Sequence, residues 1–249
     1  MQRRLKWSRL YYNDDVATTL DDDDDSDATN DDDYHYEEKV DGRGRGELIR
    51  LCLAAANIEF KDHFLYERAE YLKLIEDGKL LFNQLPLLEI DGKNLTQSNS
   101  CARYVARKAS LCGKNEDEAV QIDMLYEGGR DFLTPFLPMV FKSEADVLAG
   151  AKEKTLPKYM PLFEKVAAAN GTGYLVGSSL TLADISVLEP LLLCVEYFGT
   201  ECFNGYPALK KVYDTVTGLD SISSFLKGPH RQRKNDERYV GEVKRVLNW

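Results

Sequence analysis

The segment "FNQLPLLEIDGKNLTQS", residues 82–98, decides the fold of this chain. Its Asp91-Gly92 pair separates two short runs that carry apolar residues, which is the strongest local signal for a β-hairpin with a type I′ turn. Pro86 stands at the start of the first run, where a strand tolerates a residue without an N–H group. Ser98 follows the second run at a position typical of a helix N-cap. The segment therefore predicts a strand, a turn, a second strand and a helix.

Two backbone features of this hairpin would suit a peptide ligand. A cis Leu85–Pro86 bond would let Leu85 present its N–H and C=O groups to an extended peptide, although an ordinary trans turn is the commoner arrangement. The free N–H groups near Gln97 and Ser98, at the positive end of the next helix, form a ready site for a carboxylate. A plain N-cap without any ligand is the alternative there.

The segment upstream of the hairpin predicts a first helix that begins in a glycine-spaced arginine pair. "RGRGELIRLCLAAAN", residues 43–57, has apolar residues at helical spacing, and Asn57 suits a left-handed end. Arg45 lies at the positive end of this helix, where a cation is disfavoured, so we expect an anionic partner for it. Arg43 and Arg50 are expected to form structural salt bridges. A strand is expected directly before this helix, in "YHYEEKV", residues 34–40.

The charge of the chain is concentrated in its first 40 residues, which carry a net charge of −8 out of −10. Residues 13–33, "NDDVATTLDDDDDSDATNDDD", are acidic and of low complexity, so we expect them to be disordered. The simplest reading is a solvated tail. The alternatives are an acidic interaction or calcium-buffering tail, and a non-native start from a misjoined or alternative first exon.

The second half of the chain predicts helices only. Thr181 and Asp184 form a capping box in front of a nearly all-apolar run, which predicts a buried helix. The expected organisation is an acidic leader over residues 1–33, a mixed α/β domain over 34–112 and an all-helical domain over 116–249.

Composition excludes several classes of protein. The five cysteines are odd in number and no pair has the spacing of metal ligands, so we expect reduced thiols, a cytoplasmic protein and no metal. No apolar run reaches the roughly 18 residues that span a bilayer, so no membrane partner is expected. Without a basic face or repeat, no nucleic-acid partner is expected either.

Four motifs together resemble one family, the cytosolic glutathione S-transferases, and the resemblance is closest to the alpha class. They are "GRGRGELIRLCLAAANIEF", the hairpin segment, "YLVGSSLTLADISVLEPLL" and "PHRQRKNDERYVGEVKRVL". The similarity runs from about Gly42 to the C-terminus. It implies an α/β thioredoxin-like N-terminal domain, an all-α C-terminal domain and a homodimer.

The resemblance also implies a glutathione site. Leu85 would pair with the cysteinyl backbone of glutathione, with Pro86 cis, and Gln84 would contact the peptide. Gln97 and Ser98 would hold the γ-glutamyl carboxylate.

The resemblance implies further contacts to glutathione. Asp131 would reach the γ-glutamyl amine across the dimer, and Lys158 falls where the alpha class has an arginine contributed across the dimer. Lys73 would substitute for an arginine near the glycyl end, since Ile75 occupies that position. Arg45 matches the arginine that supports the thiolate.

The catalytic tyrosine of the family is missing from the expected place. It precedes the arginine that matches Arg43 by four residues, and that position is Lys39. Lys39 would supply a positive charge instead, or Tyr36 or Tyr34 would reach the thiol through a bulged strand, or the leader has replaced the normal first exon.

The resemblance implies that the thiolate of glutathione is conjugated to small hydrophobic electrophiles or reduces organic hydroperoxides. The electrophile would bind between the domains, under a C-terminal helix that carries Tyr239 and Val243. The alternative, favoured by Lys39, is a glutathione-binding carrier or structural protein without catalysis.

Overall fold

The computed structural model describes residues 8–13, 42–232, 234 and 237–248. Its N-terminal unit is a four-stranded sheet in the order β2-β1-β3-β4, in which β1 runs parallel to β2 and antiparallel to β3. The elements are β1 (Ser8–Asn13), α1 (Glu47–Ala55), β2 (Phe60–Leu65), α2 (Arg68–Glu76), β3 (Leu87–Ile90), β4 (Lys93–Thr96) and α3 (Ser98–Lys108), with a 3₁₀ turn (Gly44–Gly46) in front of α1.

The first strand does not lie where the sequence predicted it. It is Ser8–Asn13, whereas the strand expected at residues 34–40 lies outside the described residues. The expectation that residues 1–33 form a leader outside the fold is therefore wrong for residues 8–13. The prediction failed because it counted back from Arg43 without a gap, while the chain inserts residues 14–41 between the strand and the turn that begins α1. The hypothesis of a replaced first exon rested on the acidic tract and on the charged strand, and the second of these grounds is removed.

The hairpin has the predicted form. Asp91 and Gly92 have φ angles of 52° and 72°, the left-handed values that a type I′ turn requires. The Leu85–Pro86 peptide bond is cis. The expected cap is shifted by one residue, because α3 begins at Ser98 and Gln97 is its N-cap.

The C-terminal unit consists of helices in the part of the chain that the structure describes. They are α4 (Glu116–Leu133), α5 (Glu144–Gly150), a π-helical turn (Ala151–Thr155), α6 (Leu156–Asn170), α7 (Leu182–Phe198), α8 (Pro207–Thr217), α9 (Asp220–Lys227) and α10 (Glu237–Leu247), with 3₁₀ segments at Thr134–Val140 and Thr200–Phe203. Thr181 and Asp184 form the predicted capping box, and the first ten residues of α7 are buried.

Two apolar clusters hold the units together. The larger one continues from the Leu88 face of β3 through α1 and α3 into α4 and α7. The smaller one lies on the opposite face of β3, where Leu87 contacts a cluster formed by Leu65, α2 and Val246 of α10. Because successive residues of a strand face opposite sides, the C-terminal helix covers the sheet face to which Leu87 belongs. The described cysteines are free, and Cys52, Cys101 and Cys194 are buried.

Candidate functional site

A cavity of about 550 Å³ lies between the two units. The N-terminal unit contributes the turn before α1, the segment before β3 and the start of α3, and the C-terminal unit contributes α4, α7 and α10. Six residues that the sequence singled out line this cavity together: Arg45, Gln84, Leu85, Pro86, Gln97 and Ser98.

The part of the cavity where the sequence predicts a peptide ligand is formed by two backbone turns held against each other. The Nε2 group of Gln97 donates a hydrogen bond of 3.2 Å to Oε1 of Gln84. Gln97 has a φ of 67°, in the left-handed region that favours glycine, and its side chain does not cap α3. The first N–H groups of a helix have no partner within the helix. The α3 end at Ser98 therefore offers donors and a positive dipole to an anion in the cavity.

Arg45 is an exposed cation on the cavity wall at the beginning of α1. It forms no hydrogen bond or ion pair with any residue that the structure describes. Arg43 and Arg50 behave differently, as predicted: Arg43 pairs with Glu196, and Arg50 pairs with buried carboxylates of its own unit. Of the three arginines, Arg45 is thus the one available to an anionic ligand.

The other side of the cavity is largely apolar and comes from the helical unit. Its apolar lining residues are Leu133, Phe136, Leu137, Met139, Phe141 and Leu193. Tyr239 and Val243 of α10 line the cavity as the sequence predicted. The ring of Tyr239 lies so close to the glycine-rich turn that a Cβ atom on Gly42 would stand 2.1 Å from it. Glycine is therefore required at this position for α10 to dock on the turn.

Three predicted residues lie outside the cavity on the exposed surface. Lys73 pairs with Asp77 at 3.5 Å within α2. Asp131 of α4 and Lys158 of α6 are exposed, and Lys158 donates a hydrogen bond of 3.0 Å to the Tyr159 hydroxyl, which raises the pKa of Lys158. The other two candidates, Tyr36 and Lys39, lie outside the described residues.

The sequence reasoning missed Tyr11 of β1. In the sheet register Tyr11 lies between His63 of β2 and Leu87 of β3, and Leu87 directly follows the cis proline. The part of β1 that carries Tyr11 thus lies next to the cavity wall formed by Leu85 and Pro86. The signal was the aromatic run "RLYYN", which a search upstream of the acidic insertion would have found.

Four charged lining residues were also missed. Glu47 and Arg231 form an ion pair at the cavity wall, Lys234 lies on the segment before α10, and Glu189 comes from α7. Burial lowers the pKa of Arg231 to about 9. A single acidic residue within the apolar run of α7 was the one signal available for Glu189.

The described residues contain no group of three or more His, Cys, Asp or Glu side chains that could hold a metal ion. None of the described helices is both long and apolar enough to cross a bilayer.

Comparisons with known proteins identify the family of this chain. Models of the glutathione S-transferase N-terminal and C-terminal domains match residues 38–107 and 130–229. Glutathione S-transferase alpha-4 of Rattus norvegicus is 39% identical over 212 residues, which cover 84% of this chain and 95% of the relative. Glutathione S-transferase A3 of Homo sapiens is 38% identical over 213 residues, which cover 84% of this chain and 96% of the relative.

Solved structures of glutathione S-transferases have the same fold as this chain. The glutathione S-transferase of Ascaris lumbricoides superimposes with a TM-score of 0.68 at 28% identity, covering 93% of this chain and all of that one (100%). A monomeric glutathione S-transferase from the hookworm Necator americanus gives 0.67 at 26% identity and covers 89% of this chain and 97% of that one. With both domains matched and alpha-class relatives aligned along most of its length, the chain belongs to the glutathione S-transferase family.

Proposed function

We propose that this cavity binds glutathione along its N-terminal wall and that the thiolate attacks a small hydrophobic electrophile held against the helical wall. Glutathione conjugation is the reaction that this family performs. One observation carries the assignment of the site: the six candidate residues line one cavity, and Arg45 among them forms no ion pair with a described residue.

The cysteinyl backbone and the γ-glutamyl end of the tripeptide would find matching chemistry in this arrangement. The backbone of Leu85 would pair with the cysteinyl residue as an added strand does. The γ-glutamyl carboxylate would lie at the N-terminus of α3, near Gln97 and Ser98, with Gln84 beside it. Lys73 remains our candidate for the glycyl carboxylate, although it lies outside the cavity lining.

The chemical step requires a thiolate. A thiol with a pKa of about 8.5 is only a few per cent ionised at neutral pH, and lowering that pKa by about two units requires roughly 2.7 kcal/mol of differential stabilisation. A hydroxyl hydrogen bond and a nearby guanidinium are a sufficient source. We assign the hydroxyl to Tyr11, in place of Lys39 and Tyr36, because of its register position beside Leu87. Arg45 supplies the positive charge.

In the conjugation the sulfur forms a bond to the electrophilic carbon. A leaving group departs with its electron pair, or an activated double bond takes up a proton, and the proton of the thiol passes to solvent. Reduction of an organic hydroperoxide would use the same thiolate. The non-catalytic alternative was favoured by the charged strand expected at residues 34–40, and with β1 formed by Ser8–Asn13 that argument no longer applies.

We further propose a cytoplasmic homodimer. Large apolar side chains are exposed next to each other in sequence on the segment before β3, where Leu81 is 78% and Phe82 58% exposed. Others are exposed on α4 and α6: Val120, Met124 and Leu162. Contiguous exposed apolar surface is typical of a protein interface. Asp131 and Lys158 lie on α4 and α6 as well, which is the place from which they would reach a second subunit.

The test combines retention on glutathione resin with conjugation of a chlorodinitrobenzene. Retention together with turnover supports the proposal. Retention without turnover would favour the carrier, and a protein that is folded by circular dichroism but does neither would refute the assignment of the cavity.

A further inference from the structure

The described lining residues of α4, α7 and the turn between α4 and α5 carry one charge, the carboxylate of Glu189. That side chain is only 6% exposed and stands on α7 one turn before Leu193, which also lines the cavity. The other contributions of α4, α7 and the turn between α4 and α5 are apolar or, at Tyr197, aromatic with a hydroxyl. Burying a carboxylate in such a wall is costly unless its oxygens are hydrogen-bonded, so each oxygen of Glu189 needs a partner.

Arg130 of α4 satisfies one of the two oxygens. Its Nη1 group donates to Oε2 of Glu189, and the two side chains are 13% and 6% exposed. Burial alone would lower the pKa of Arg130, but the facing carboxylate outweighs it and raises that pKa. Arg130 is thus a fixed cation that orients Glu189 and compensates its charge.

The second oxygen, Oε1, accepts no hydrogen bond from a described residue. Among the described residues Oε1 is also not one of the atoms that are fully shielded and lack a hydrogen bond, so it keeps access to the cavity that Glu189 lines. A nearly buried carboxylate therefore presents one unpartnered acceptor atom to the space that the electrophile would occupy.

We propose that Oε1 of Glu189 accepts a hydrogen bond from a hydroxyl or amide N–H group of the electrophile. This inference rests on the proposed function and narrows its substrate class to apolar electrophiles that carry a neutral hydrogen-bond donor. A neutral donor is favoured over a cation because Arg130 cancels the charge of Glu189. An electrophile without a donor would displace water from Oε1 and leave that acceptor unpaired, which is the strongest form of discrimination a pocket has.

The probes are chloronitrobenzenes with an alkyl spacer that ends in a hydroxyl group, compared with the methyl ethers of the same alcohols. In each, the thiolate forms the carbon–sulfur bond at the ring, chloride leaves with the electron pair of the broken bond, and the thiol proton passes to solvent. The spacer end takes no part in this chemistry. A series of spacer lengths is tested to identify the length at which the hydroxyl group reaches Glu189. At that length we expect kcat/KM for the alcohol to exceed kcat/KM for its methyl ether by about tenfold or more.

Two variants separate a specificity role from a structural one. In Glu189→Gln the amide oxygen still accepts from Arg130, and the amide N–H₂ group replaces the acceptor on the cavity side, so the preference for the alcohol should disappear. In the double variant R130M/E189L both charges are removed, an exchange that buried pairs often tolerate, and the preference should disappear there too. Glu201→Gln, which removes an exposed carboxylate of the 3₁₀ segment after α7, is the matched control and should keep it.

Equal kcat/KM for alcohol and ether at every spacer length in the wild type would overturn the inference, as would an unchanged preference in Glu189→Gln. Calorimetric binding of the same alcohol and ether pairs decides the matter even without turnover: tighter binding of the alcohol supports the inference, and equal dissociation constants refute it. Loss of conjugation with the unsubstituted chloronitrobenzene, together with loss of retention on glutathione resin, would instead count against the proposed function.

Discussion

Arg50 of α1 and Asp62 of β2 form an ion pair of 2.8 Å in which the side chains are 0% and 5% exposed. The other oxygen of Asp62 accepts from the amide of Gln232 at 3.3 Å and faces His230 at 3.4 Å. One buried carboxylate thus joins the first helix, the edge strand and the segment that leads to α10. The position of the C-terminal helix depends on this group as well as on apolar contact.

Replacing Asp62 by asparagine should destabilise the protein by about 3 kcal/mol, because the buried Arg50 guanidinium loses the nearer of its two described carboxylates, Asp62 at 2.8 Å against Glu47 at 3.3 Å. Urea unfolding at fixed protein concentration measures the change. Asp214→Asn is the matched control, since its partner Lys210 and Asp214 itself are 45% and 56% exposed. An exposed pair of this kind contributes less than about 1 kcal/mol. Equal losses in the two variants would contradict the role of Asp62.

Replacing Tyr11 by phenylalanine should lower kcat/KM for a chlorodinitrobenzene by about 10- to 100-fold, the value of one hydrogen bond to a charged acceptor. Retention on glutathione resin should remain, because the backbone of Leu85 and the start of α3 are untouched.

The controls for Tyr11 test the competing candidates on the same assay. Tyr12→Phe removes a hydroxyl at the next position of β1, whose register partner is Phe64 of β2. Tyr36→Phe and Lys39→Ala remove the side chains that sequence counting favoured. A rate loss in Lys39→Ala as large as that in Tyr11→Phe would argue against our assignment of the hydroxyl.

Much of this fold could be predicted because the signals were local. Asp91-Gly92 fixes its own turn, and Thr181 with Asp184 caps its own helix, so four consecutive residues carry the information. The six cavity residues were predicted from the same segments and from the resemblance to the glutathione S-transferases.

The first strand could not be located in that way, since its partners Phe60–Leu65 and Leu87–Ile90 are remote in sequence and no local rule counts across an insertion. Glu189 was not predicted from the sequence for a related reason. Its role depends on Arg130, which is 59 residues away, and on the shape of a cavity that only packing creates. Pairing between distant segments was thus the information that the sequence patterns lacked.

The capping box should give the stability of the protein a specific pH dependence. Burial raises the pKa of Asp184 to about 6 despite hydrogen bonds from Leu175 and Thr181. The unfolded chain loses this proton near pH 3.8 and the folded chain near pH 6, so between these values the folded state binds more protons. The stabilising contribution of Asp184 to the free energy of unfolding is therefore present at acid pH and is lost as the pH rises through about 6. The change is about 3 kcal/mol, at about 1.36 kcal/mol per pKa unit.

The comparison with Asp184→Asn isolates this contribution from those of other groups. The free energy of unfolding of the wild type, relative to the variant, should be about 3 kcal/mol lower at pH above about 6 than at pH about 4. Urea titrations across this range measure it, and Asp214→Asn serves as the surface control. A difference that stayed constant, or that grew with pH, would show that hydrogen bonding outweighs burial at this carboxyl.

Replacing Phe82 by serine should shift the protein from dimer to monomer. Its ring is 58% exposed and follows Leu81, which is 78% exposed. If a second subunit covers both side chains, their apolar surface is removed from water, and the substitution of Phe82 loses that contact. Analytical ultracentrifugation of the wild type and the variant measures the state. Phe141→Ser is the control for loss of an exposed aromatic ring elsewhere, since Phe141 lies at the cavity. A wild-type monomer would refute the proposed homodimer, and with it the roles of Asp131 and Lys158.

Replacing Arg45 by glutamine should lower the ionised fraction of the bound glutathione thiol without unfolding the protein. Arg45 is exposed and makes no ion pair with a described residue, so its removal leaves no buried charge behind. Without the guanidinium the pKa of bound glutathione should rise by about one unit, because a nearby opposite charge lowers a thiol pKa by about that much or more. The acid limb of the pH profile of kcat/KM should therefore move to higher pH by about one unit. The rate should fall by about tenfold at pH values well below the thiol pKa and by about threefold at neutral pH.

The matched control for Arg45 is Arg107→Gln, which removes an exposed arginine of α3 that does not line the cavity. It changes the net charge equally and should leave both the pH profile and the rate unchanged. Arg45→Lys should retain part of the shift, since an ammonium group keeps the charge but loses the planar fork of donors. If Arg45→Gln raised KM for glutathione with an unmoved pH profile, Arg45 would hold the ligand as an anchor without acting on the sulfur.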